Sequence, residues 1–370
     1  MPNGASLCVR FRAHGDAPFF SRDEFSIAEK LKRFFHEKES GTMKVAIVGA
    51  TGEVGRTMVR VLEERGVRPE TIRFFASPRS AGTELEFAGR RVAVEELTRE
   101  WVPAGTFDYV IMSAGSELSK RFAPVAASRG AVVIDNSSCW RMDPEKPLVV
   151  PEINGDLLAG YRGIVANPNC STIQMVLGLY KAHERFGLKT VVVSTYQAVS
   201  GAGRRGIDEL LAQERGGTVC EKFAAPIHRN VVPQIDAFLD NGFTKEEMKM
   251  VDEPRKILRD DSIMFWPTTV RVPVLYGHSE AVFAETREPF GTVEKLLEVM
   301  REQEHVTVSG EPVITPAVDA AGTDTTFVSR VRSFDDTHFL QWNVADNVRV
   351  GAATNAVRIL LRHAALNGVR

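Results

Sequence analysis

The feature that most constrains this 370-residue chain is a glycine-rich loop between an apolar run and a helical pattern. The loop reads G-A-T-G-E-V-G at residues 49–55 and follows the apolar run 44–48. Glycines permit a tight turn and a close backbone approach, and the first amides of the next helix can bind an anion. The candidate contacts in this loop are Gly49, Thr51, Gly52, Glu53, Val54 and Gly55. An ordinary strand-to-helix turn can carry the same glycines, so the context of the loop matters more than its spacing.

The residues after the loop alternate between strand and helix patterns. Strands are predicted at 44–48, 71–76, 92–94, 109–112 and 132–134, and helices at 56–65 and 117–127. Such alternation predicts an α/β domain with a parallel sheet covered by helices on both faces. Ligands of these sheets bind at the carboxyl ends of the strands, where Ser113, Ala114 and Gly115 follow the fourth strand.

The pattern changes after residue 170. We predict a long helix at 172–186, strands at 190–197, 268–274, 281–286 and 327–333, and a helix at 293–303. This order is typical of an α+β domain with an antiparallel or mixed sheet. A last helix, 347–361, is apolar enough to pack back on the first domain. The predicted domains are therefore 43–169 plus 343–370, and 170–342.

Residues 1–42 differ from the rest of the chain. A capping-box pattern begins at Ser21, and Phe25, Ala28, Leu31 and Phe35 recur at helical spacing, so an amphipathic helix is predicted over 22–38. Neither a signal peptide nor a transit peptide is expected, because an apolar core is missing and six acidic residues are present. The segment is either an appendage of uncertain role or an extension preceding a natural start at Met43.

Composition excludes several function classes. Lys plus Arg total 46 and Asp plus Glu total 48, a formal net charge of −2, which argues against a general binder of nucleic acid or of membrane surfaces. The four cysteines form no C-x-x-C pair, so no metal site is expected and a reducing compartment is the default. We therefore expect a cytoplasmic protein with a small-molecule substrate.

The end of the second predicted strand suggests which dinucleotide binds. An NAD site usually places a carboxylate there, against the ribose hydroxyl. This chain has Ser77-Pro78-Arg79-Ser80 instead, and Arg79 with Ser80 suits a 2′-phosphate, so NADP is favoured. The alternative is a surface turn with an incidental arginine.

Cys170 is the candidate nucleophile. It lies in N-P-N-C-S-T, directly before a predicted helix, whose N-terminal dipole favours the reactive thiolate. Cys139, in the polar loop D-N-S-S-C-W-R, is the competing candidate, whereas Cys8 and Cys220 lack such a context.

Eight motifs in this order resemble the aspartate-semialdehyde dehydrogenase family. They are GATGEVG (49–55), DNSSCWR (135–141), VPEIN (150–154), NPNCST (167–172), STYQAVSGAG (194–203), EEMKM (246–250), RVPVLYGHSE (271–280) and DNVRVGAATNAV (346–357). In their order and spacing, these motifs extend the resemblance over essentially everything from Met43 onward. The resemblance implies a Rossmann-type NADP-binding domain, a catalytic and dimerisation domain, and a homodimer or tetramer.

The family reaction is the NADPH-dependent reductive dephosphorylation of L-aspartyl 4-phosphate to L-aspartate 4-semialdehyde, in biosynthesis of lysine and diaminopimelate, threonine, methionine and isoleucine. By resemblance, the catalytic residues are Cys170, His278 and Gln197; the substrate-binding residues are Arg141, Glu246, Lys249 and Arg271; and Ser200, Gly201 and Asn347 contact the cofactor. Without the resemblance, Glu246 and Lys249 would be interpreted as a surface ion pair on one helix face. A Cys139 in the phosphate loop departs from the family pattern, and its effect is open.

Three alternatives were weighed. N-acetylglutamyl-phosphate reductase and phosphorylating glyceraldehyde-type dehydrogenases have similar chemistry, but their cysteine loops differ from N-P-N-C-S. A catalytically inactive NADP-binding sensor would not need Cys170, Gln197, Arg271 and His278 together.

Overall fold

The computed structural model describes residues 43–98, 101 and 105–369. The helix predicted over 22–38 lies outside these residues. Two sheets organise the described part, one of seven strands and one of six. None of its helices has the length and apolar character needed to cross a membrane.

The first sheet is parallel except at one edge. Its strands are β1 (Lys44–Val48), β2 (Thr71–Ala76), β3 (Glu84–Phe87), β4 (Arg90–Glu96), β5 (Tyr109–Met112), β6 (Val132–Asp135) and β7 (Ile164–Ala166), in the order β3-β4-β2-β1-β5-β6-β7. Only β3 pairs in an antiparallel direction, with β4. The chain order reverses on either side of β1, so the loops after β1 and β5 diverge above neighbouring strands and leave a crevice at their carboxyl ends.

Helices cover both faces of this sheet. They include α1 (Glu53–Glu64) and α2 (Ser116–Ser128), whereas the single turn α3 (Pro151–Asn154), which follows β6 in the chain, packs through Ile153 against other helices. Val45 and Ile47 of β1 pack with Met58 and Leu62 of α1, whereas Phe122 of α2 packs on the opposite face. The sequence prediction of a covered parallel sheet is confirmed.

The second sheet is mixed. After the helix α4 (Cys170–Phe186), the remaining elements are β8 (Leu188–Gln197), α5 (Arg204–Glu214), α6 (Lys245–Leu258), β9 (Met264–Arg271), β10 (His278–Thr286), α7 (Val293–Arg301), β11 (Val306–Val308), β12 (Thr326–Arg332), β13 (His338–Ala345) and α8 (Asn355–Asn367). The strand order is β11-β12-β13-β10-β8-β9, with β8–β9 and β11–β12 parallel and the other pairs antiparallel. Helix α4 packs on one face of this sheet through Met175 and Leu179.

Helix α8 returns to the first sheet. Its Val357 and Leu360 belong to the same buried cluster as Val45 and Ile47 of β1. This packing is consistent with the predicted division into 43–169 plus 343–370 and 170–342, which stays a prediction.

The starts of two elements differ from the sequence prediction by more than three residues. The last helix begins at Asn355 rather than at residue 347, because residues 349–354 form a π-helical segment before it. Strand β9 spans 264–271 rather than 268–274, because its pairing with β8 ends at Arg271 and Pro273, just beyond, has no N–H to donate. Periodicity did not reveal the strands β3, β7, β11 and β13 or the helix α5.

Candidate active site

A cavity of about 710 Å³ lies where the carboxyl ends of β5, β6 and β7 meet those of β8 and β9. Strands β8 and β9 are parallel, and their last residues, Gln197 and Arg271, are register partners. The cavity brings together ten predicted site residues, which are Val54, Arg141, Cys170, Gln197, Ser200, Gly201, Glu246, Lys249, Arg271 and Asn347.

Cys170 is the first residue of α4 and lines the cavity. Asn169 caps this helix, because its Oδ1 accepts from the amides of Ser171 at 3.0 Å and Thr172 at 3.3 Å. Behind the thiol lies Gly351, where an added methyl group would be 2.5 Å from the Cys170 Cβ. Only glycine fits at position 351, and no local sequence pattern indicated this requirement.

Burial governs the protonation of Cys170. It raises the pKa of the thiol to about 12, Glu246 adds to the rise, and Arg271 and Arg141 oppose it. Burial therefore outweighs the helix N-terminus on which the thiolate expectation relied. The thiol at neutral pH is protonated and requires a group that takes its proton.

This pKa predicts how Cys170 reacts with iodoacetamide. Because only the thiolate is alkylated, the rate at Cys170 should rise by about tenfold per pH unit between about pH 7 and 9, without a plateau. Peptide mass spectrometry on quenched samples measures the rate at each cysteine separately. A plateau below the ordinary cysteine pKa would contradict the shift.

Unlike Cys170, His278 does not line the cavity but lies just behind its wall. Its Nδ1 accepts from the Ala198 amide at 3.0 Å, which in a neutral ring leaves the proton on Nε2. A methyl group on Gly201 would lie 3.2 Å from that Nε2 and 2.8 Å from Nη1 of Arg271. Burial, together with Arg271, holds the pKa of His278 well below its usual range. The ring is therefore neutral, and the backbone of Gly201 separates it from the cavity.

Glu246 and Lys249 form an ion pair inside the cavity rather than on an open surface. Glu246 Oε2 accepts from Lys249 Nζ at 2.9 Å, and its Oε1 accepts from Asn169 Nδ2 at 2.9 Å and from Gln197 Nε2 at 3.3 Å. Burial alone would lower the pKa of Lys249, but the carboxylates of Glu246 and Asp236 outweigh it and raise the pKa. Lys249 is thus charged and lines the same cavity as the thiol.

Arg141 is held by three acceptors. Its Nε donates to Asn167 O at 2.9 Å, Nη2 to Asn136 O at 3.0 Å, and Nη1 to Glu253 Oε1 at 3.0 Å. The other oxygen of Glu253 accepts from the Asn169 amide at 2.7 Å. One buried carboxylate therefore fixes both the arginine and the residue before the nucleophile.

Sequence reasoning missed Glu253 and also Lys256. Lys256 Nζ donates to the carbonyls of Arg141, Asp143 and Lys146 at 2.7, 2.7 and 2.9 Å and so holds the loop that carries Arg141. Both residues continue the helix face of Glu246 and Lys249 at steps of three or four. That periodicity was the available signal.

Arg271 lies at the end of β9, a strand that packs against α6. It is buried, and its Nη1 donates to Ala198 O at 2.6 Å. Burial lowers its pKa, which the nearby Glu246 opposes. The cavity lining consequently includes cations from three different parts of the chain, Arg141, Lys249 and Arg271.

The glycine loop is shaped by close packing. Gly49 has φ +83°, and a methyl group there would lie 2.3 Å from Ser113 O; one on Gly55 would lie 2.1 Å from Gly49 O. Of the loop residues, only Val54 lines the cavity, while Glu53 Oε1 accepts from the Tyr276 hydroxyl at 2.8 Å. Gly49, Thr51, Gly52 and Gly55 lie off the cavity surface, at the start of α1.

The other cofactor candidates fall into two places. Asn347 lies before the π-helical segment and does not open the last helix; its Oδ1 accepts from Ser200 Oγ at 3.1 Å and from the Gly277 amide at 2.9 Å. Arg79 and Ser80 follow β2, outside the cavity lining, and the exposed Arg79 side chain has no hydrogen-bond or ion-pair partner among the described residues. Cys139 is half-buried and does not line the cavity, although Ser138 and Arg141 beside it do.

Comparison with known proteins agrees with this arrangement. The NAD binding domain of semialdehyde dehydrogenases matches residues 44–161, and their dimerisation domain matches residues 178–350. The aspartate-semialdehyde dehydrogenase of Aquifex aeolicus is 46% identical over 331 residues, covering 85% of this chain and 96% of that protein. That of Bacillus subtilis is 41% identical over 334 residues, covering 86% and 97%.

Solved structures agree as well. Aspartate semialdehyde dehydrogenase II of Vibrio cholerae, crystallised in complex with ASA, has a TM-score of 0.84 at 45% identity and covers 88% of this chain and 98% of that one. A Francisella tularensis aspartate semialdehyde dehydrogenase has a TM-score of 0.75 at 26% identity, with 86% and 98% covered. From its sequence, its two sheets and these relatives, the chain belongs to the aspartate-semialdehyde dehydrogenase family.

Proposed function

We propose that the protein catalyses the NADPH-dependent reductive dephosphorylation of L-aspartyl 4-phosphate to L-aspartate 4-semialdehyde. This reaction serves the biosynthesis of lysine and diaminopimelate, threonine, methionine and isoleucine. The observation that carries the proposal is a single cavity in which a cysteine at a helix N-terminus shares the lining with cationic side chains from different elements, Arg141, Lys249 and Arg271. A substrate with a carboxylate at one end and a phosphate at the other requires this charge pattern.

Arg271 is proposed to bind the α-carboxylate, and Arg141 with Lys249 the phosphate. A guanidinium suits a carboxylate through paired N–H donors, and a lysine suits phosphate as a point charge. Glu246 orients Lys249 and, through Asn169, the start of the nucleophile helix. Gln197, held by the same Glu246 carboxylate, is proposed to orient the acyl group beside Cys170.

Cys170 is proposed to attack the acyl carbon, so that a carbon–sulfur bond forms and phosphate leaves with the electrons of the broken carbon–oxygen bond and with the proton of the thiol. The chemistry that NADPH would supply when bound is the transfer of a hydride. Hydride addition to the thioester carbonyl gives a thiohemiacetal. Its oxygen re-forms the carbonyl and expels the thiolate, which releases the aldehyde.

His278 is proposed to manage the proton of this cycle. In the reverse direction, Nε2–H gives its proton to the aldehyde oxygen as the sulfur adds to the aldehyde carbon. The nitrogen lone pair that this frees then takes the thiol proton, which leaves the ring neutral as before. A neutral ring is required for this exchange, and burial keeps His278 neutral. Access past Gly201 is required as well, so a shift of that backbone is part of the proposal.

The residues around the glycine loop fit a dinucleotide. Gly49 and Gly55 allow the loop to pack closely at the start of α1, whose first amides can bind an anion, and Val54 of this loop lines the same cavity as Ser200, Gly201 and Asn347. Arg79 and Ser80 end the neighbouring strand, where a ribose phosphate would lie. We therefore propose NADP as the cofactor.

Replacing Arg79 with alanine tests the choice of cofactor. The preference for NADP over NAD, as a ratio of kcat/KM values, should fall by about 10- to 100-fold, because a charged hydrogen bond contributes about 1.5–3 kcal/mol. Arg90→Ala, at another exposed arginine of the same domain, is the control and should leave the ratio unchanged. An unchanged ratio in Arg79→Ala would assign the 2′-phosphate to other residues.

The reaction is tested in its oxidative direction. Purified protein should reduce NADP in the presence of L-aspartate semialdehyde and inorganic phosphate, followed by NADPH absorbance. Activity should require all three components. N-acetylglutamate semialdehyde and glyceraldehyde 3-phosphate are the control substrates, and faster turnover of either one would overturn the assignment.

A homodimer and a cytoplasmic location complete the proposal. The face of the second sheet away from α4 exposes large apolar side chains, which are Val192, Tyr196, Met264 and Trp266. Such a face suits association with a second copy of the chain. The three described cysteines are free, as expected in a reducing compartment.

A further inference from the structure

The wall behind Cys170 belongs to a segment of unusual geometry. Residues Arg349–Thr354 form a π-helical segment, and Gly351 within it approaches Cys170 so closely that a methyl group would lie 2.5 Å from the cysteine Cβ. Ala352, next along, accepts from Asn167 Nδ2 at 3.1 Å. The thiol is therefore held from behind by a segment whose hydrogen bonding is less favourable than that of an α-helix.

A single carboxylate bonds both ends of this segment. Asp324 Oδ1 accepts from Arg349 Nε at 2.9 Å and from Thr354 Oγ1 at 2.6 Å, the first and last residues of the segment. The other oxygen, Oδ2, accepts from Arg65 Nη2 at 2.8 Å, at the end of the helix that begins in the glycine loop. Asp324 and Thr354 are thirty residues apart, so this clamp has no local sequence signature.

The clamp is charged and well shielded. Side chains of Asp324 and Arg349 are 19% and 12% exposed. Burial alone would raise the pKa of the Asp324 carboxyl, but the bonds from Arg349 and Thr354 outweigh it and lower the pKa to about 2. Asp324 is thus ionised throughout the physiological range and bonds three groups, of which Arg349 also pairs with Glu64 of α1.

We propose that Asp324 is a positioning residue for Cys170, acting through the π-helical segment 349–354 that it holds at both ends. The proposal rests on the role of Cys170 as nucleophile. Asp324 touches neither the thiol nor the cavity lining. Its effect is to keep Gly351 against the cysteine, so that the sulfur keeps one direction and stays shielded.

The test uses three variants of the full-length protein. Asp324→Asn removes the charge of the clamp. Thr354→Val removes only the hydroxyl at one end, and Thr354→Ser retains that hydroxyl. Asp260→Asn is the matched control, because Asp260 also bonds one arginine and one hydroxyl, Arg287 and Ser262, but at the end of α6 away from Cys170.

Two measurements are made on each variant. In the phosphate-dependent assay, kcat should fall about tenfold or more in Asp324→Asn and Thr354→Val, since a misplaced nucleophile loses its alignment. KM for phosphate should change less than twofold, because α6 holds Arg141 and Lys249 independently. Thr354→Ser and Asp260→Asn should stay within about twofold of the parent.

Alkylation of Cys170 by iodoacetamide is the second measurement and does not depend on the substrate assignment. Its rate should rise at least about threefold in Asp324→Asn and Thr354→Val, because a looser wall exposes a thiol whose pKa burial had raised. An unchanged alkylation rate would overturn the proposal, whether kcat falls or not. If every variant, the parent included, lacks turnover but alkylation changes as stated, the proposed reaction fails and the positioning role stands.

Discussion

Replacement of Cys170 by serine is expected to lower kcat by at least about 10⁴-fold, with little change in the affinity for NADP. Serine keeps the size of the side chain, but a hydroxyl does not form the thioester through which the proposed reaction passes, and losses of a nucleophile are of this order. Affinity for NADP should persist, because the glycine loop and Arg79 are independent of the thiol. Stopped assays at high protein concentration measure the residual rate, and fluorescence titration measures NADP binding.

Cys139→Ser is the matched control for this experiment. Cys139 lies near the Arg141 loop but off the cavity surface, and burial raises the pKa of its thiol. We expect Cys139→Ser to retain activity within a few-fold of the parent. An equal loss in both variants would reopen the choice of nucleophile.

Glu253→Gln is expected to lower the free energy of unfolding by about 3–5 kcal/mol, the cost of breaking a buried ion pair from one side. Glu253 and Arg141 have side chains only 1% and 9% exposed, and Glu253 also accepts from the Asn169 amide. A glutamine presents only one oxygen to these two donors, so one buried donor loses its partner. Urea denaturation with linear extrapolation measures the change.

Glu84→Gln provides the comparison. Glu84 pairs with Arg91 across β3 and β4, with side chains 51% and 82% exposed, so the loss should be under about 1 kcal/mol. Glu253→Gln should also raise KM for phosphate, because Arg141 loses the acceptor that sets its direction. Equal stability losses in the two variants would refute the special role of the buried pair.

Much of the site was predictable because parallel strands end at the same edge of a sheet. The motifs around residue 54, Arg141 and Cys170 each follow or close a strand of the first sheet, so their convergence follows from topology. Gln197 and Arg271 converge for the same reason at the ends of β8 and β9. The residues that act chemically stand in recognisable local motifs, although their individual roles stay predictions.

The supporting residues were not predictable in this way. Glu253 contacts Arg141 across 112 residues of sequence, and Asp324 bonds Thr354 across the two strands β12 and β13. Gly351 is required by the bulk of Cys170, which is far away in the chain. Such requirements depend on packing between distant segments, and hydrophobic periodicity contains no information about them. The thiol pKa was misjudged for the same reason, because burial is a tertiary property.

The return of α8 to the first sheet has a consequence for synthesis on the ribosome. A nascent chain that has released β1 to β7 still lacks Val357 and Leu360, which complete the core around Val45 and Ile47. We expect part of the apolar face of the first sheet to stay unpacked until the second sheet and then α8 have been synthesised. The nucleotide-binding half, although first in the sequence, is therefore completed last, at the same moment as the wall behind Cys170.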